Sequence, residues 1–239
     1  MAEISELLPT LGVVIPCRDE SPRLPLLLAD LQRWPAQLEI WVSDGCSNDA
    51  SCTVARLGGA KVLQISLPSR GLQLQQGCLR TMASWLLLLH ADSRLPASWP
   101  TAVGQAMLSE ENLSTVAWFF DFRVNAPGLM LRMLEWAVAI RSCWLQEPYG
   151  DQGLLIQRKC LESVGGIRPL PIMEDIDLVQ RLRRQGSLRR LQLPLFTDGR
   201  RWLRRGVLRQ SWQNAQLRRR WQQGEDPWLL AEMYNSDTN

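Results

Sequence analysis

Histidine is almost absent from this sequence, and its cysteines are not spaced to bind a metal. The 239 residues contain a single histidine, His90, and six cysteines without a CxxC pair. A zinc site of histidine and cysteine is therefore a poor hypothesis, and so is a Ser-His-Asp triad. Because a cytosolic chain of this size needs no disulfide framework, we expect reduced thiols. The candidates for catalytic residues are therefore the carboxylates.

Long apolar runs are also missing. The first residues are acidic where a secretory signal is basic, and their short apolar run ends at Pro16. The longest apolar runs are too short or are interrupted by Arg132 and Glu135, whereas a membrane-spanning helix needs roughly 20 apolar residues. We expect a cytoplasmic protein with neither an export signal nor a membrane span.

Two common nucleotide-binding motifs are absent as well. No G-x-G-x-x-G follows the first apolar run, and no G-x-x-x-x-G-K-[ST] occurs anywhere. These absences disfavour a dinucleotide-dependent dehydrogenase and a P-loop ATPase. A site that holds a nucleotide diphosphate without a glycine cradle must balance the phosphate charge differently. A divalent cation on a carboxylate, together with arginine, does this.

Length and charge set the remaining limits. Apolar residues make up 46% and charged residues 21% of the chain, values typical of one globular domain over 1–239. Residues 1–150 contain 11 basic and 14 acidic side chains, whereas residues 151–239 contain 16 basic and 10 acidic ones. A basic C-terminal part indicates an anionic partner, which charge alone leaves open among a phosphate, a phospholipid surface and a nucleic acid.

The hydrophobic pattern predicts an α/β fold. Strand-like runs at 11–16, 38–43, 61–65 and 85–90 alternate with helical stretches. This alternation indicates a largely parallel sheet with right-handed crossovers. The same pattern predicts further elements: a helix opened by Ser21 and Pro22, a helix near 98–109, a strand over 115–124, a helix over 128–145, a strand over 152–157, a helix over 173–186, and a single helix over 200–221.

Carboxylates follow three of the predicted strands. Asp19 and Glu20 come after the first strand, Asp44 ends the second, and Asp92 comes after the fourth. Taken singly, such a residue is explained by an Asx turn or a helix cap. Ligands of open α/β sheets bind beyond the carboxyl ends of the strands. The coincidence of these acids at one edge therefore predicts a site for a polar ligand.

Six blocks of the sequence carry a family resemblance. In order, they are VVIPCRDE, VSDGCSNDAS, SRGLQLQQG, LLLLHADS, GDQGLLIQRKCLESVGGI and PIMEDIDLVQRLRRQG. Over roughly 11–233 the chain resembles the small bacterial family 2 glycosyltransferases, and it is most similar to a subgroup with HAD-S/T, GDQ and MED motifs. That subgroup is associated with arsenosugar biosynthesis and radical-SAM neighbours. The resemblance implies a GT-A-like (Rossmann-like) mixed, mostly parallel sheet flanked by helices.

The resemblance implies a donor-binding part over about 11–95. Residues of the first strand would meet the base and ribose of a nucleotide-sugar donor, and Asp44 would hydrogen-bond the base. Asp92 would bind the ribose and a divalent cation, so Mg²⁺ or Mn²⁺ is the expected cofactor. The residues that match donor positions of the family are Pro16, Asp19, Glu20, Asp44, Arg70, Gln73 and Asp92.

The resemblance also implies an acceptor and catalytic part over about 96–198. Asp151 and Gln152 match the GDQ block beside the acceptor, which would be a hydroxyl compound, either a small molecule or lipid-linked. Trp144 and Tyr149 lie close to this block and are candidates for stacking on the acceptor.

Glu174 and Asp175 match the acidic pair that supplies the catalytic base. We assign Asp175 as the base, with Glu174 as the alternative. Since Asp177 is also near, we expect the pKa of Asp175 to be raised. Without the resemblance, these acids would be interpreted as the negative first turn of a helix.

The sequence departs from the family pattern at three positions. Asp19 and Gln75 stand where asparagine is usual, and His90 replaces the first acid of a D-x-D motif, which leaves Asp92 as the one carboxylate of that block. A lone histidine that ends a buried strand is more often a packing residue than a metal ligand. Several tryptophans in apolar patterns are expected in the core: Trp85, Trp118 and Trp136.

The C-terminal segment 199–233 is rich in arginine and tryptophan. We favour a helix docked on the domain with its arginines in solvent. A rival interpretation places 200–221 on the inner membrane surface as a peripheral contact. Eight arginines without a recognised nucleic-acid motif make a weak case for nucleic acid, so no nucleic-acid partner is predicted.

The resemblance implies an inverting, metal-assisted transfer of a sugar to a hydroxyl group. Two alternatives remain. A sugar-phosphate nucleotidyltransferase shares the logic of the sheet edge, but it would normally have a glycine-rich loop with lysine after the first strand. A non-catalytic nucleotide-sugar-binding protein is the other alternative, given the three departures.

Overall fold

The computed structural model describes residues 8–109 and 115–236, and a seven-stranded sheet forms the centre of this part of the chain. The strands are β1 (Leu11–Cys17), β2 (Leu38–Asp44), β3 (Lys61–Gln64), β4 (Trp85–Leu88), β5 (Thr115–Val124), β6 (Leu154–Gln157) and β7 (Ser187–Thr197). Their order is β3-β2-β1-β4-β6-β5-β7. Strand β6 is antiparallel to both of its neighbours, and the other pairings are parallel. The predicted fold class is confirmed.

Helices flank this sheet. They are α1 (Leu24–Leu31), α2 (Ser51–Leu57), α3 (Arg70–Arg80), α4 (Trp99–Leu108), α5 (Leu129–Trp144), α6 (Arg158–Ser163), α7 (Glu174–Arg183), α8 (Arg200–Arg205), α9 (Val207–Gln222) and α10 (Pro227–Ser236), with a 3₁₀ turn at Gly150–Gln152.

The sheet is buried on both faces around β1. All seven residues of this strand are buried, as expected for a parallel strand covered by helices on each side. One core layer includes the stacked rings of Trp34 and Trp99, whose centroids lie 5.2 Å apart. The other layer packs α3 and α7 onto the sheet. Helix α3 approaches closely because Gly77 has no side chain; a Cβ there would lie 2.4 Å from Val14.

Three predicted elements need correction. The first helix begins at Leu24, with Pro25 in its first turn, and not at Ser21 and Pro22. The single C-terminal helix is two helices, because Gly206 between them has a φ of 78°. Glycine adopts this left-handed conformation without steric cost, so the helix ends there.

A third correction concerns Trp136, which is 70% exposed, whereas Trp85 and Trp118 are buried as expected.

Strand β7 was not predicted. Its sequence combines arginines with Pro194 and lacks a clean alternation, and it pairs in parallel with β5 through two register shifts. In the described parts of the chain, every helix is too short or too polar to traverse a lipid bilayer.

The start of α3 is pinned to the loop before α7. The Gly71 N–H donates to the carbonyl of Leu170 at 3.0 Å, and a Cβ on Gly71 would lie 2.5 Å from the carbonyl oxygens of Arg168 and Leu170. No side chain fits without moving one backbone segment.

We expect Gly71→Ala to lower the free energy of unfolding by about 1–3 kcal/mol, because the new methyl group would meet rigid backbone. Gly104→Ala is a matched control inside α4. Its methyl group would meet only the Leu8 side chain, at 3.3 Å, and alanine favours a helix. Urea denaturation measures both variants, and equal unfolding midpoints would contradict this account.

Candidate functional site

A cleft of about 410 Å³ opens at the carboxyl ends of the central strands. The ends of β1 and β4 line it from below, and the starts of α3 and α7 contribute to one side. Helices α8, α9 and α10 line it from the C-terminal part of the chain. This is the edge at which open α/β sheets bind their ligands.

Most of the predicted donor residues meet in this cleft. Asp19 and Asp44 are the exceptions. The residues that line it are Pro16, Glu20, Arg70, Gln73 and Asp92.

Asp19 and Asp44 are used by the loops around them. Asp19 has a φ of 54°, and its Oδ1 accepts a hydrogen bond from the N–H of Asn48 at 2.7 Å. Asp44 is buried, and its Oδ2 accepts from the N–H of Ser47 at 3.2 Å. The Oδ1 of Asp44 has no hydrogen-bond partner among the described residues. This oxygen is enclosed by the protein, and Asp44 does not line the cleft.

Gln73 ties two strand ends together beneath the cleft. Its Nε2 donates to the carbonyls of Cys17 at 2.9 Å and Ser43 at 2.7 Å. Gly45 makes room for this amide, since a Cβ there would lie 2.8 Å from it. Both amide protons serve the ends of β1 and β2, so Gln73 stiffens the floor of the site.

Glu20 connects the first strand to the C-terminal helices. Its carboxylate accepts from Arg200, with Nη1 3.0 Å from Oε2, and from Arg23 at 3.3 Å. Arg23 in turn forms an ion pair with Asp198, just before α8. Residues nearly 180 positions apart in sequence therefore form one wall of the cleft.

Asp92 has the character of a cation ligand. Burial and then the charge of Glu20 raise the pKa of Asp92, although Arg200 and Arg201 partly oppose this, so a cation that offsets Glu20 would favour the ionised carboxylate. Within the described residues, no three histidine, cysteine, aspartate or glutamate side chains cluster as a complete metal cage. Mg²⁺ typically uses one or two carboxylates plus substrate phosphates. Asp92 near Glu20 fits a cation completed in this way.

His90 is packed against the GDQ turn. Burial, and then the charge of Arg70, lower the pKa of His90 to about 3, so the imidazole is neutral at physiological pH. A Cβ on Gly150 would lie 2.9 Å from its Nε2. These contacts agree with the packing role that the sequence favours over metal ligation.

The four predicted acceptor residues separate into two pairs. Tyr149 and Asp151 line the cleft. Gln152 is buried, where its Oε1 accepts from Ser142 Oγ at 2.6 Å and its Nε2 donates to the carbonyl of Phe120 at 3.1 Å. Trp144 is 85% exposed at the end of α5 and does not line the cleft. Of the four predicted acceptor residues, only Tyr149 and Asp151 thus meet in the cleft.

Tyr149 and Asp151 both lie close to arginine. The guanidinium of Arg141 is 3.5 Å from the centroid of the Tyr149 ring, and that of Arg218 is 5.4 Å away. Burial raises the pKa of Asp151, although Arg141 partly opposes this. The Oδ1 of Asp151 is buried and has no hydrogen-bond partner among the described residues.

The acidic pair sits at the start of α7, where Arg70 lies between the two carboxylates. Glu174 pairs with the Nε of Arg70, and Nη2 of Arg70 lies 3.8 Å from Asp175. Asp175 also accepts from the N–H of Gly150 at 2.7 Å and from that of Ile176 at 2.8 Å. Asp175 lines the main cleft, whereas Glu174 lines a smaller, mostly apolar cavity behind it.

We expected the pKa of Asp175 to be raised, and this prediction is wrong. Burial alone would raise the pKa of Asp175, but Arg70 and the two backbone amides outweigh burial and hold this pKa below its usual value. The carboxyl group whose pKa is raised is that of Glu174. Burial raises the pKa of Glu174 to about 7, and its Oε2 has no partner among the described residues. Arg70 contacts both carboxylates, so the difference between their pKa values comes from the backbone N–H groups that donate to Asp175 and from the repulsion that Asp175 exerts on Glu174.

Sequence reasoning missed three arginines of the site. Arg200 and Arg201 of α8 and Arg218 of α9 line the cleft, although we expected the arginines of this segment in solvent. Arg201 also lies 5.1 Å from the ring centroid of Tyr234. The available signal was the run of eight arginines between 200 and 222 without an acidic residue. A cluster of positive charge without acidic neighbours indicates that an anionic group binds nearby.

Comparisons with known proteins find that a stretch of this chain and its fold are similar to sugar-transferring enzymes. No protein-family model matches the chain. A 93-residue stretch is 32% identical to the 4,4'-diaponeurosporenoate glycosyltransferase of Staphylococcus haemolyticus. This stretch is 36% of the chain and 25% of that protein. The chain thus spans a quarter of the length of this relative.

Solved structures match more of the chain. A structure of S. aureus TarS 1-349 has a TM-score of 0.61 at 15% identity and covers 80% of this chain and 60% of its own. The mannosyltransferase PcManGT of Pyrobaculum calidifontis, in complex with GDP-Man and Mn²⁺, has a TM-score of 0.61 at 14% identity, with 79% and 56% covered.

Glucosyl-3-phosphoglycerate synthase of Mycobacterium tuberculosis, in complex with Mn²⁺, UDP and phosphoglyceric acid, has a TM-score of 0.60 at 20% identity, with 80% and 72% covered. Identities this low establish the architecture and not the activity. The chain therefore has the α/β fold of these GT-A glycosyltransferases.

The raised pKa of Glu174 predicts a pH-dependent stability. Its value is 4.5 for the free side chain and about 7 in the folded protein. Between these values the folded state keeps a proton that the unfolded state releases, so the free energy of unfolding falls as pH rises from 4.5 to 7.

We expect Glu174→Gln to remove a fall on the order of 2 kcal/mol over this range. Urea denaturation at several pH values between 4.5 and 7.5 measures the difference from wild type. Glu162→Gln, at a carboxylate whose side chain is 65% exposed, is the matched control and should follow the wild-type profile. A Glu174→Gln profile parallel to wild type would refute the assignment.

Proposed function

We propose that the chain is an inverting glycosyltransferase of the family 2 type, which moves a sugar from a nucleotide-diphosphate donor to a hydroxyl acceptor with the assistance of Mg²⁺ or Mn²⁺. One observation carries this proposal. The cleft has Asp92 and arginines near the sheet edge, and an ionised carboxylate, Asp175, is held by two backbone amides on another wall. The glycosyltransferases with the same fold, and the matching stretch of the Staphylococcus haemolyticus enzyme, support the proposal.

The donor would lie over the ends of β1 and β4. Pro16 and Glu20 line that part of the cleft, and Asp92 would hold the cation. When bound, the cation supplies positive charge to the diphosphate oxygens. Arg70 and the arginines of α8 face the same space and would stabilise the charge that develops on the leaving diphosphate.

The acceptor would enter on the side of Tyr149 and Asp151. Its hydroxyl oxygen attacks the anomeric carbon in line with the bond to the diphosphate. As the new carbon–oxygen bond forms, that bond breaks and the diphosphate leaves with the electron pair. The hydroxyl proton passes to a carboxylate oxygen of Asp175, and the anomeric configuration is inverted. Glu174 is less suited to be the base, because it lies behind Arg70 and does not line the main cleft.

The division of the chain follows from these roles. We propose a donor part over about 11–95, an acceptor and catalytic part over about 96–198, and a C-terminal part over 199–233 that adds arginines to the cleft. Membership in the subgroup with HAD-S/T, GDQ and MED motifs, with its association with arsenosugars, belongs to the same proposal. So do a cytoplasmic location and an acceptor that is either small or lipid-linked.

Asp175→Asn should lower turnover about 100-fold or more, because general-base catalysis typically contributes 10²–10⁴-fold. Donor affinity should stay nearly unchanged. Release of nucleoside diphosphate from UDP-glucose or GDP-mannose with Mn²⁺ measures turnover, and thermal stabilisation by the same compounds measures binding.

Asp151→Asn is the matched variant in the same cleft. A loss of turnover in Asp151→Asn with normal turnover in Asp175→Asn would assign the base to Asp151. Loss of donor binding or of folded protein in Asp175→Asn would return that residue to a structural role. Nucleotide-sugar binding by the wild type without turnover would favour the non-catalytic binding protein.

Asp92→Asn should weaken donor binding and metal dependence together, because hard divalent ions prefer carboxylate oxygen. The concentration of Mn²⁺ that gives half-maximal turnover should rise at least tenfold. The same titration on Asp19→Asn, whose carboxylate holds a loop outside the cleft, is the control. Wild-type activity and an unchanged response to EDTA in Asp92→Asn would refute the assignment.

A further inference from the structure

Helix α5 presents an uncharged, apolar face to solvent. Its outward side chains recur every three or four residues, which aligns them along one side of the helix. Each is at least 39% exposed. We name this set the α5 stripe: Leu129, Met133, Trp136, Ile140 and Trp144.

The charged residues of α5 do not interrupt this stripe. Arg132 and Glu135 form an ion pair with each other, and Glu135 is buried. Arg141 donates to the carbonyl of Glu147 and reaches Gln152. The buried side of the helix, which includes Leu131 and Val138, packs on the domain. The α5 stripe is therefore the outer face of a firmly docked helix.

The buried side of α5 packs against the arginine-rich helices. Leu131 and Val138 belong to one apolar cluster with Trp202 of α8 and Val207 of α9. The neighbouring Leu203, Leu208 and Trp212 are 64%, 72% and 64% exposed. Exposed apolar side chains therefore occur on α5 and on the two helices packed beside it.

These two helices carry a strong positive charge. From 199 to 224 the chain has eight arginines and no acidic residue. A pocket of about 300 Å³ on this surface is lined by Arg205, Arg209, Arg220 and Trp212. The Nη2 of Arg205 is buried there without a hydrogen-bond partner among the described residues. Arg205 also donates through Nη1 to Gln213 at 2.9 Å, and three guanidinium groups around one open pocket favour an anion there.

We infer that the α5 stripe and the arginine-lined pocket form one docking surface for an anionic lipid bilayer. Tryptophan and aliphatic side chains suit the boundary between headgroups and acyl chains, where the indole N–H meets water. Arginines beside them attract anionic headgroups. An exposed apolar stripe and a basic pocket on neighbouring helices are complementary to such a surface in both respects.

A second copy of the chain is a less suitable partner for this face. A two-fold interface brings the same patch of both copies together. Pairing through the α5 stripe would place two arginine-rich surfaces near each other, and like charges that face each other cost free energy. An anionic bilayer has the opposite charge and avoids this repulsion.

The docked orientation would bring the cleft to the membrane. Trp202 lines the cleft and also packs against the buried side of α5, so the helix that carries the stripe lies beside one wall of the cleft. A lipid-linked hydroxyl acceptor would reach the cleft without leaving the bilayer. This last step rests on the proposed function, whereas membrane docking itself does not.

Flotation with vesicles tests the docking separately from activity. The full chain is mixed with vesicles of phosphatidylcholine alone or with 30% phosphatidylglycerol, and the floated fraction is measured. We expect binding to the anionic vesicles only. Trp136→Glu/Trp144→Glu should reduce it at least tenfold. Arg205→Gln/Arg209→Gln should do the same, since each arginine near the surface adds about 1 kcal/mol.

Leu57→Glu/Met82→Glu is the matched control. These side chains are 84% and 86% exposed, as the stripe tryptophans are, but they lie on other elements. The control should float like wild type, and thermal melts should show that all variants are folded. The proposal is overturned if wild type does not bind anionic vesicles, if the control and the stripe variant lose binding equally, or if the chain is a dimer that the stripe variant converts to a monomer.

Discussion

The site depends on the ion pairs of Arg70. This side chain begins α3 and reaches the two acids that begin α7, so one guanidinium joins two helices from distant parts of the chain. In a buried ion pair of this kind, the attraction between the charges exceeds the free energy cost of desolvation only when the geometry is good. The neighbouring Gly71 allows that geometry, because it lets α3 touch the backbone of the loop before α7. Arg70 also keeps Asp175 ionised, on which the proposed chemistry relies.

The sheet and its acidic edge could be predicted because the signals are local. A run such as Leu11–Cys17 specifies a buried strand, and the carboxyl ends of parallel strands converge on one edge. The presence of Arg200 in the cleft could not be predicted from local signals. Its position depends on a contact with Glu20 across most of the chain, and no periodicity encodes such a contact. The break at Gly206 did have a local signal, since glycine commonly ends helices.

Adjacent residues of one motif also proved to have different surroundings. Asp151 and Gln152 are neighbours in the 3₁₀ turn, yet Asp151 lines the cleft and Gln152 is enclosed by Phe120 and Ser142. A motif indicates which segment approaches a ligand, but the backbone of the turn decides which side chain faces it. The pKa values of Glu174 and Asp175 separate for a similar reason. Both acids contact Arg70, but the N–H groups of Gly150 and Ile176 donate to Asp175, and the charge of Asp175 raises the pKa of Glu174.

The walls of the cleft differ in how they would respond to ionic strength. The floor is held by buried hydrogen bonds from Gln73 to two strand ends. The opposite wall is held by ion pairs of Arg200 and Arg23, whose side chains are 37% and 30% exposed. Added salt screens partly exposed pairs much more than buried contacts. Concentrated electrolyte would therefore weaken the ion pairs of the C-terminal wall more than the hydrogen bonds of the floor, while the apolar contacts of Leu217 and Leu230 would still hold α9 and α10 on the domain.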